Sequence, residues 1–367
     1  MAAVIVIVKI GTSSLTDDEG HIRADIIAKL CDEVAAVRAD GHQVILVSSG
    51  AITAGLPALG FAGAARPRDA RTLQAASAVG QSRLMAVYEQ ALATHGLVAG
   101  QLLLAPFTFF ERSQYLHARG TLERLLELDV VPIVNENDAV ADDAIRFGDN
   151  DRIAALVGQL VGADRLVLLT DIPGLFTSDP RKDPNAELIA EVTSVTATLA
   201  ADIGGAGTER GSGGMASKVQ AAKMAAYSGV TTVITSSELD DVLRGAIEER
   251  AGIGTIVRPQ PHPLSARKLW IAFAVEPAGS VVVDAGARGA LERDGRSLLA
   301  VGVRGVEGSF TRGDAVDVVD QNGDVFARGL AAIGAAELRQ ITGVRSSEHP
   351  AGTPDEVIHR DELVVMV

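Results

Sequence analysis

Residues 207–229 read GTERGSGGMASKVQAAKMAAYSG. A glycine-rich loop runs into a stretch predicted as a helix, with Met215, Val219, Ala222 and Ala226 on its inner face and Lys218 in its first turn. Backbone N–H groups at a helix N-terminus favour an anion, and glycines let the backbone approach it closely. A cation in that turn opposes the helix dipole, and a phosphate would receive both. The Walker pattern GxxxxGK(S/T) is absent, so this is not an ordinary P-loop. Taken alone, the segment suits a phosphate cradle or a flexible turn with a solvated lysine equally well. Lys9 is the second candidate: it closes the apolar run VIVIV at residues 4–8 and opens a Gly-Thr-Ser-Ser loop. Only six of the 33 basic residues are lysines, and these two occupy positions suited to phosphate. A lysine is a compact charge with rotatable donors, useful for following a phosphoryl group as it moves. A solvated lysine marking a strand end is the plainer reading.

Residues 135–151, NENDAVADDAIRFGDND, carry six carboxylates and one arginine, Arg146, directly after the apolar run VVPIV. So much negative charge at the end of a buried strand suits either a solvated acidic loop or a held cation: a metal, an amino group or a pair of lysines. Asparagines at 135, 137 and 150 make a pure hard-cation cage the less natural choice. VSSGA at 47–51 and LLTDIPGLFTSDP at 168–180 share the form of an apolar strand ending in small polar residues. Backbone donors in VSSGA suit a carboxylate or simply begin the next helix. Asp171 suits a ligand or a capping role.

The elements that must position these residues alternate. VIVIV, QVILV, VVPIV, RLVLL and TTVIT are apolar throughout, and helical stretches separate them, one ending near Gly41 and a long one over residues 69–95. This pattern predicts an α/β domain on a mainly parallel sheet covered on both faces. Ligands of such sheets gather at the carboxyl ends of strands, where every polar cluster above lies. Prolines at 259, 261 and 263 mark an extended linker, residues 258–268, after the α/β domain at 1–257. Beyond it, at 269–367, short strand-like runs are punctuated by RDGR at 293–296 and QNGD at 321–324, which predicts a small β-rich domain.

The chain has 367 residues, 47% hydrophobic and 22% charged, with net charge −14. Basic and acidic residues number 22 and 32 up to residue 260, and 11 and 15 after it. Neither part is basic, which argues against a nucleic-acid surface. The single cysteine, Cys31, excludes an intramolecular disulfide and falls among Ile27, Leu30 and Val34 at helical spacing, so it is expected in the core. The opening MAAVIVIVKIG lacks a basic leader and is too short to span a bilayer, and no later run is long enough. The cytoplasm is the expected location.

VKIGTSSLT, VSSGAITAG, PIVNENDAV, RFGDND, LLTDIPGLFTSDPR and GSGGMASK follow one another in the order that resembles the glutamate 5-kinase family of the amino-acid kinase superfamily, over roughly residues 4–257. The tail VVVDAGARGALERDGRSLLAVGVRGVEGSFTRGDAV resembles a PUA domain. The resemblance implies a three-layer amino-acid kinase fold with a mainly parallel central sheet, followed by a β-rich PUA-like domain. It also implies ATP-dependent phosphorylation of the γ-carboxylate of L-glutamate to L-glutamyl 5-phosphate, the first step of proline biosynthesis, with Mg²⁺ accompanying ATP. By motif position, Ser49, Asp138 and Asn150 would bind glutamate, and Lys9 and Lys218 would contact the phosphates. Thr170, Asp171 and the segment Ser212, Gly213, Gly214, Met215, Ala216, Ser217 and Lys218 would line the nucleotide site. Asp151 would orient the two lysines. Ser212 departs from the threonine of many relatives but keeps the hydroxyl. Feedback inhibition by proline and assembly as a homo-oligomer, dimer or tetramer, are further implications. Another acceptor within the superfamily is the alternative, as is an RNA-associated PUA protein. The tail's aromatics, Trp270, Phe273, Phe310 and Phe326, are spaced for a small core rather than a stacking array.

The chemistry suits these residue types. A γ-carboxylate has a pKa of about 4.3 and is already ionised at neutral pH, so no histidine or cysteine constellation is required. The obstacle is repulsion between two anions, which lysines and backbone amides relieve.

Overall fold

The computed structural model describes residues 2–61, 66–109, 111–140, 150–180, 182–193, 214–350 and 352–366. They form two compact units, Met1–Pro263 and Leu264–Val367.

The first unit is built on eight strands: β1 (Ile5–Ile10), β2 (Gln43–Ser48), β3 (Val98–Leu104), β4 (Val130–Glu136), β5 (Arg165–Thr170), β6 (Glu191–Val192), β7 (Thr231–Ser236) and β8 (Thr255–Val257). Their order in the sheet is β3-β4-β2-β1-β5-β7-β8-β6. Every pairing is parallel except β7 with β8. The helices that concern the site are α1 (Thr12–Leu15), α2 (Ala24–Ala39), α3 (Ala51–Gly55), α4 (Ala70–Ala93), α5 (Arg112–Glu127), α6 (Asn150–Val161), α7 (Met215–Tyr227) and α8 (Val242–Ile247).

Side chains alternate across a strand, and this parity decides where β1 sends its residues. Val6, Val8 and Ile10 join one core with Ile27, Leu30, Cys31 and Val34 of α2, Leu84 and Tyr88 of α4, and Val242 and Leu243 of α8. Ile7 faces the other way, toward α6, where a Cβ at Gly158 would lie 3.6 Å from its Cγ1. Lys9 has the parity of Ile7. The result is three layers, with helices on both faces of the sheet. Cys31 is buried, and burial pushes its thiol up to about 12, as expected of a core residue.

Strand β3 is not evident in the sequence: VAGQLLL lies at the edge of the sheet and is only half-buried along most of its length. Residues Asn135 and Glu136, read from sequence as part of the acidic stretch after a strand, are the last residues of β4 and are both buried. Glu136 is therefore buried rather than solvated. Residues 141–149, with Asp142, Asp143 and Arg146, lie outside the described residues.

The second unit holds a five-stranded sheet, ordered β11-β9-β12-β13-β15, and a two-stranded one, β10-β14. The strands are β9 (Gly279–Val283), β10 (Leu298–Leu299), β11 (Val303–Gly308), β12 (Ala315–Val319), β13 (Val325–Leu330), β14 (Glu356–Ile358) and β15 (Leu363–Val365). Its core gathers Val281, Val283, Leu291, Val316, Phe310, Phe326 and Leu338. QNGD does turn a hairpin between β12 and β13, with Gly323 at φ 89° and the backbone N–H groups of Asn322 and Asp324 donating to Asp320 Oδ1. RDGR marks a different feature. It ends α9 (Ala285–Asp294), with Gly295 in the left-handed region as the cap.

Candidate active site

Three side chains from distant parts of the first unit meet at the carboxyl end of the sheet. Lys9, near the end of β1, places its Nζ 2.7 Å from Oδ1 of Asp151. Lys218, one turn into α7, places its Nζ 3.1 Å from Oδ2 of the same carboxylate. Ser217 Oγ also donates to that Oδ2, at 2.9 Å. All three charged residues are buried: Lys9 is 3% exposed, Lys218 6% and Asp151 0%. Burial by itself pushes the Asp151 carboxyl upward. The two ammonium groups, with hydrogen bonds from Lys9 and Ser217, more than reverse this and hold it at about 2. Asp151 is thus a carboxylate at neutral pH, and the trio as a unit carries one positive charge.

Asn150, the first residue of α6, ties two strand ends together. Its Nδ2 donates to the carbonyl of Ser48 at 2.8 Å, to Ser49 Oγ at 3.1 Å and to Asn135 Oδ1 at 2.8 Å. Asn135 Oδ1 also accepts from the Glu136 N–H, which fixes how that amide is turned. Asn150 Oδ1 and Asn135 Nδ2 are buried without a hydrogen-bond partner among the described residues. Buried polar atoms left this way suit a site that a polar ligand completes. Because Asn150 and Asp151 are neighbours in sequence, one turn of α6 joins the lysine cluster to the Ser48–Ser49 loop.

Asp138, two residues beyond β4, accepts from Ser77 Oγ of α4 at 2.7 Å. It lines a cavity of about 330 Å³ together with Ser77, Gln81, Gln101, Leu103 and Glu136. Thr170 ends β5 and donates to the exposed Asp171 at 3.0 Å. Gly214 caps α7 with no side-chain hydrogen bond, and Met215 and Ala216 form the turn that carries Ser217 and Lys218. Ser212 and Gly213 lie outside the described residues. The structure therefore brings Lys9, Asp151, Ser217 and Lys218 into one cluster, and Ser49 and Asn150 into an adjoining one. Thr170 and Asp171 pair with each other, and Asp138 with Ser77.

The model of the amino acid kinase family matches residues 4–236. The chain belongs to the amino acid kinase family. A PUA domain model matches residues 279–351. Relatives match over almost the full length. A glutamate 5-kinase of Myxococcus xanthus (strain DK1622) is 48% identical over 98% of this chain and 96% of its own. One from Chromohalobacter salexigens is 47% identical over the same shares. Among solved structures, an isopentenyl phosphate kinase has a TM-score of 0.50 at 19% identity, covering 69% of this chain and 99% of its own. Carbamate kinase from Giardia lamblia, bound to AMP-PNP, has a TM-score of 0.50 at 18% identity, covering 71% and 99%. At that identity the likeness to these two structures is one of fold.

Several residues that build this amino acid kinase site carry no sequence signal of their own. The resemblance places Ser217 in the nucleotide loop; the hydrogen bond from its hydroxyl to Asp151 is a further contact that the motif does not announce. Asn135 and Ser48 serve as the framework around Asn150. Ser77 and Tyr88 sit on the buried face of α4, and Tyr88 OH is hydrogen-bonded to Ser48 Oγ at 3.0 Å. No helix among the described residues is long and apolar enough to cross a membrane.

Proposed function

We propose that this chain transfers the γ-phosphoryl group of ATP to the γ-carboxylate of L-glutamate, giving L-glutamyl 5-phosphate and ADP, the first step of proline biosynthesis. The observation that carries the reading is the convergence of Lys9 and Lys218 on one carboxylate at the carboxyl end of the sheet. An oxygen of the ionised γ-carboxylate forms a bond to the γ-phosphorus. The bond from that phosphorus to the β,γ-bridging oxygen breaks, and ADP leaves with the electron pair. No proton has to move, so the protein's task is to hold two anions together and to meet the charge that spreads over the transferring group. At ~4 Å and an effective dielectric of ~20, one cation contributes roughly 4 kcal/mol of attraction. Expressed only in the transition state, that is about a thousandfold in rate.

Lys9 and Lys218 contact the phosphates in this reading, and Asp151 holds both ammonium groups at the required spacing. Ser49, Asp138 and Asn150 take glutamate, with Asp138 facing its α-ammonium. Thr170, Asp171 and residues 212–218 line the nucleotide. Mg²⁺ enters on the ATP phosphates. Both oxygens of Asp151 are engaged by ammonium and hydroxyl groups, and the one carboxylate–histidine cluster among the described residues, Asp17, Glu19 and His21, is a largely exposed turn, so neither fits an Mg²⁺ site. Proline as a feedback inhibitor, assembly as a dimer or tetramer, the cytoplasm as the site of action and the domain limits given above belong to the same proposal. The RNA-associated reading is not favoured: the tail has more acidic than basic residues.

The test is ADP formation by the purified protein with glutamate, aspartate, N-acetylglutamate or UMP as acceptor, the acyl phosphates of the three carboxylate acceptors being trapped by hydroxylamine as well. Glutamate should be turned over far faster than the others. Faster turnover of any other acceptor overturns the assignment.

A further inference from the structure

Helix α4 has no assigned part in the reaction, yet its buried face touches both walls of the acceptor site. Ala76, Ser77, Gly80, Gln81, Leu84, Tyr88 and Leu92 are its buried residues. From Ser77, through either Gly80 or Gln81, to Leu84 and Tyr88 the steps are three or four, so these residues share one side of the helix. Most of an inward face should be apolar, and here three of five are polar.

Two of the polar residues meet the groups proposed to hold glutamate or their immediate support. Ser77, 1% exposed, donates to the Asp138 carboxylate at 2.7 Å. Tyr88, fully buried, is hydrogen-bonded to Ser48 Oγ at 3.0 Å, and the carbonyl of that same Ser48 accepts from Asn150. Burial pushes the Tyr88 phenol up, so it stays a neutral partner across the physiological range. Between them lies a contact that leaves α4 no freedom to slide. A Cβ at Gly80 would overlap the carbonyl oxygen of Ala51, and one at Gly55 would overlap that of Ala76. Helices α3 and α4 thus touch backbone to backbone, and α3 starts directly after the Ser48–Gly50 turn. Ser48 is held from one side by Asn150 and from the other by Tyr88, while Asp138 is held by Ser77.

We infer that α4 is the ruler of the acceptor site: Ser77 and Tyr88 are positioning residues that fix the Asp138 wall and the Ser48–Ser49 wall at the spacing of a five-carbon amino-dicarboxylate. The inference rests on the acceptor assignment made above. A hydrogen bond to a charged carboxylate restricts both its direction and its position, and a donor mounted on the helix that also holds the other wall converts that restriction into a length. An acceptor one methylene shorter or longer then fails to reach both walls at once.

The experiment compares the full-length protein with Ser77→Ala and Tyr88→Phe, neither of which adds an atom to the core. Leu84→Ala, on the same face and 1% exposed, controls for loosening of the helix without loss of a hydrogen bond. Acceptors are glutamate, aspartate and 2-aminoadipate, one methylene shorter and longer. Ser77→Ala should raise KM for glutamate about tenfold or more while KM for ATP and kcat change less than about twofold. The preference for glutamate over both homologues, as ratios of kcat/KM, should fall about tenfold in Ser77→Ala and in Tyr88→Phe and hold in Leu84→Ala. Unchanged preference in both hydroxyl variants overturns the ruler, as does an equal fall in Leu84→Ala. Absence of glutamate turnover by the unsubstituted protein overturns the acceptor assignment instead, and is seen before any variant is compared.

Discussion

Replacing Lys218 by alanine isolates the charge contact on which the proposed chemistry turns. Its ammonium lies 3.1 Å from Asp151 in a site where the residue is only 6% exposed, so water screens it little. The full attraction of one such cation for a phosphoryl oxygen is about 4 kcal/mol at ~4 Å and an effective dielectric of ~20. Part of it already acts on bound ATP, and only the difference between ground and transition state appears in kcat. If two-thirds is differential, about 2.7 kcal/mol is lost, or a hundredfold in kcat. The fold should survive. Lys9 and Asp151, 2.7 Å apart, remain as a neutral pair, so no buried charge is stranded. Lys218→Met, which keeps most of the stem volume, separates charge from packing and should lose a similar factor. Hydroxylamine trapping gives kcat, and thermal melting reports the fold. A loss of tenfold or less in both variants, with melting unchanged, refutes a transition-state role for this lysine.

Other outcomes follow from the same geometry. Asp151→Asn removes the carboxylate that the two ammonium groups share, and breaking that buried pairing should cost roughly 3–5 kcal/mol in a denaturation experiment. The Asp151 carboxyl sits at about 2 against an ordinary 3.8. Its stabilisation is therefore complete above about pH 4 and is lost as pH falls toward 2, an effect of roughly 2 kcal/mol that acid melting should show in the parent and not in Asp151→Asn. Asp138→Asn should raise KM for glutamate about tenfold or more with KM for ATP unchanged, since hydrogen bonds to charged groups are the stronger class; an unchanged glutamate KM removes Asp138 from the ammonium site. Gly80→Ala gains about 1 kcal/mol of helix propensity, but its Cβ overlaps the Ala51 carbonyl, so net destabilisation is expected by chemical denaturation and a stabilised variant contradicts the close packing.

The strands that carry the site were legible because each is buried on both faces and reads as an unbroken apolar run. β1, β2, β4 and β5 come nearest this form, β7 mixes buried threonines with Val233 and Ile234, and the polar residues that end them mark the binding edge. β3 was not legible, because an edge strand with Gly100 and Gln101 in its middle has neither continuity nor clean alternation. Residue types and motif order pointed to Lys9, Lys218 and Asp151, whereas their meeting is a tertiary fact: three segments converge through strand parity and helix placement that no local pattern encodes. Ser77 and Tyr88 were invisible for the same reason. A serine in a helix has many ordinary uses, and only the position of Asp138 beside it gives this one a function.

Local rules and tertiary contacts disagree at one point, and the disagreement is informative. Asp151 lies in the first turn of α6, where the helix dipole favours an anion. Lys218 lies at the start of α7, where the dipole opposes a cation, and burial adds to the cost. Nothing within α7 compensates; Asp151 does, from another helix. A lysine placed against its own helix dipole, buried, and made tolerable by a carboxylate it shares with a second lysine is a poor way to stabilise a fold, since an apolar side chain there would avoid every one of these costs. The arrangement makes physical sense when a further anion enters: helix amides, two ammonium groups and one carboxylate then combine into a site whose charge the terminal phosphate of ATP completes.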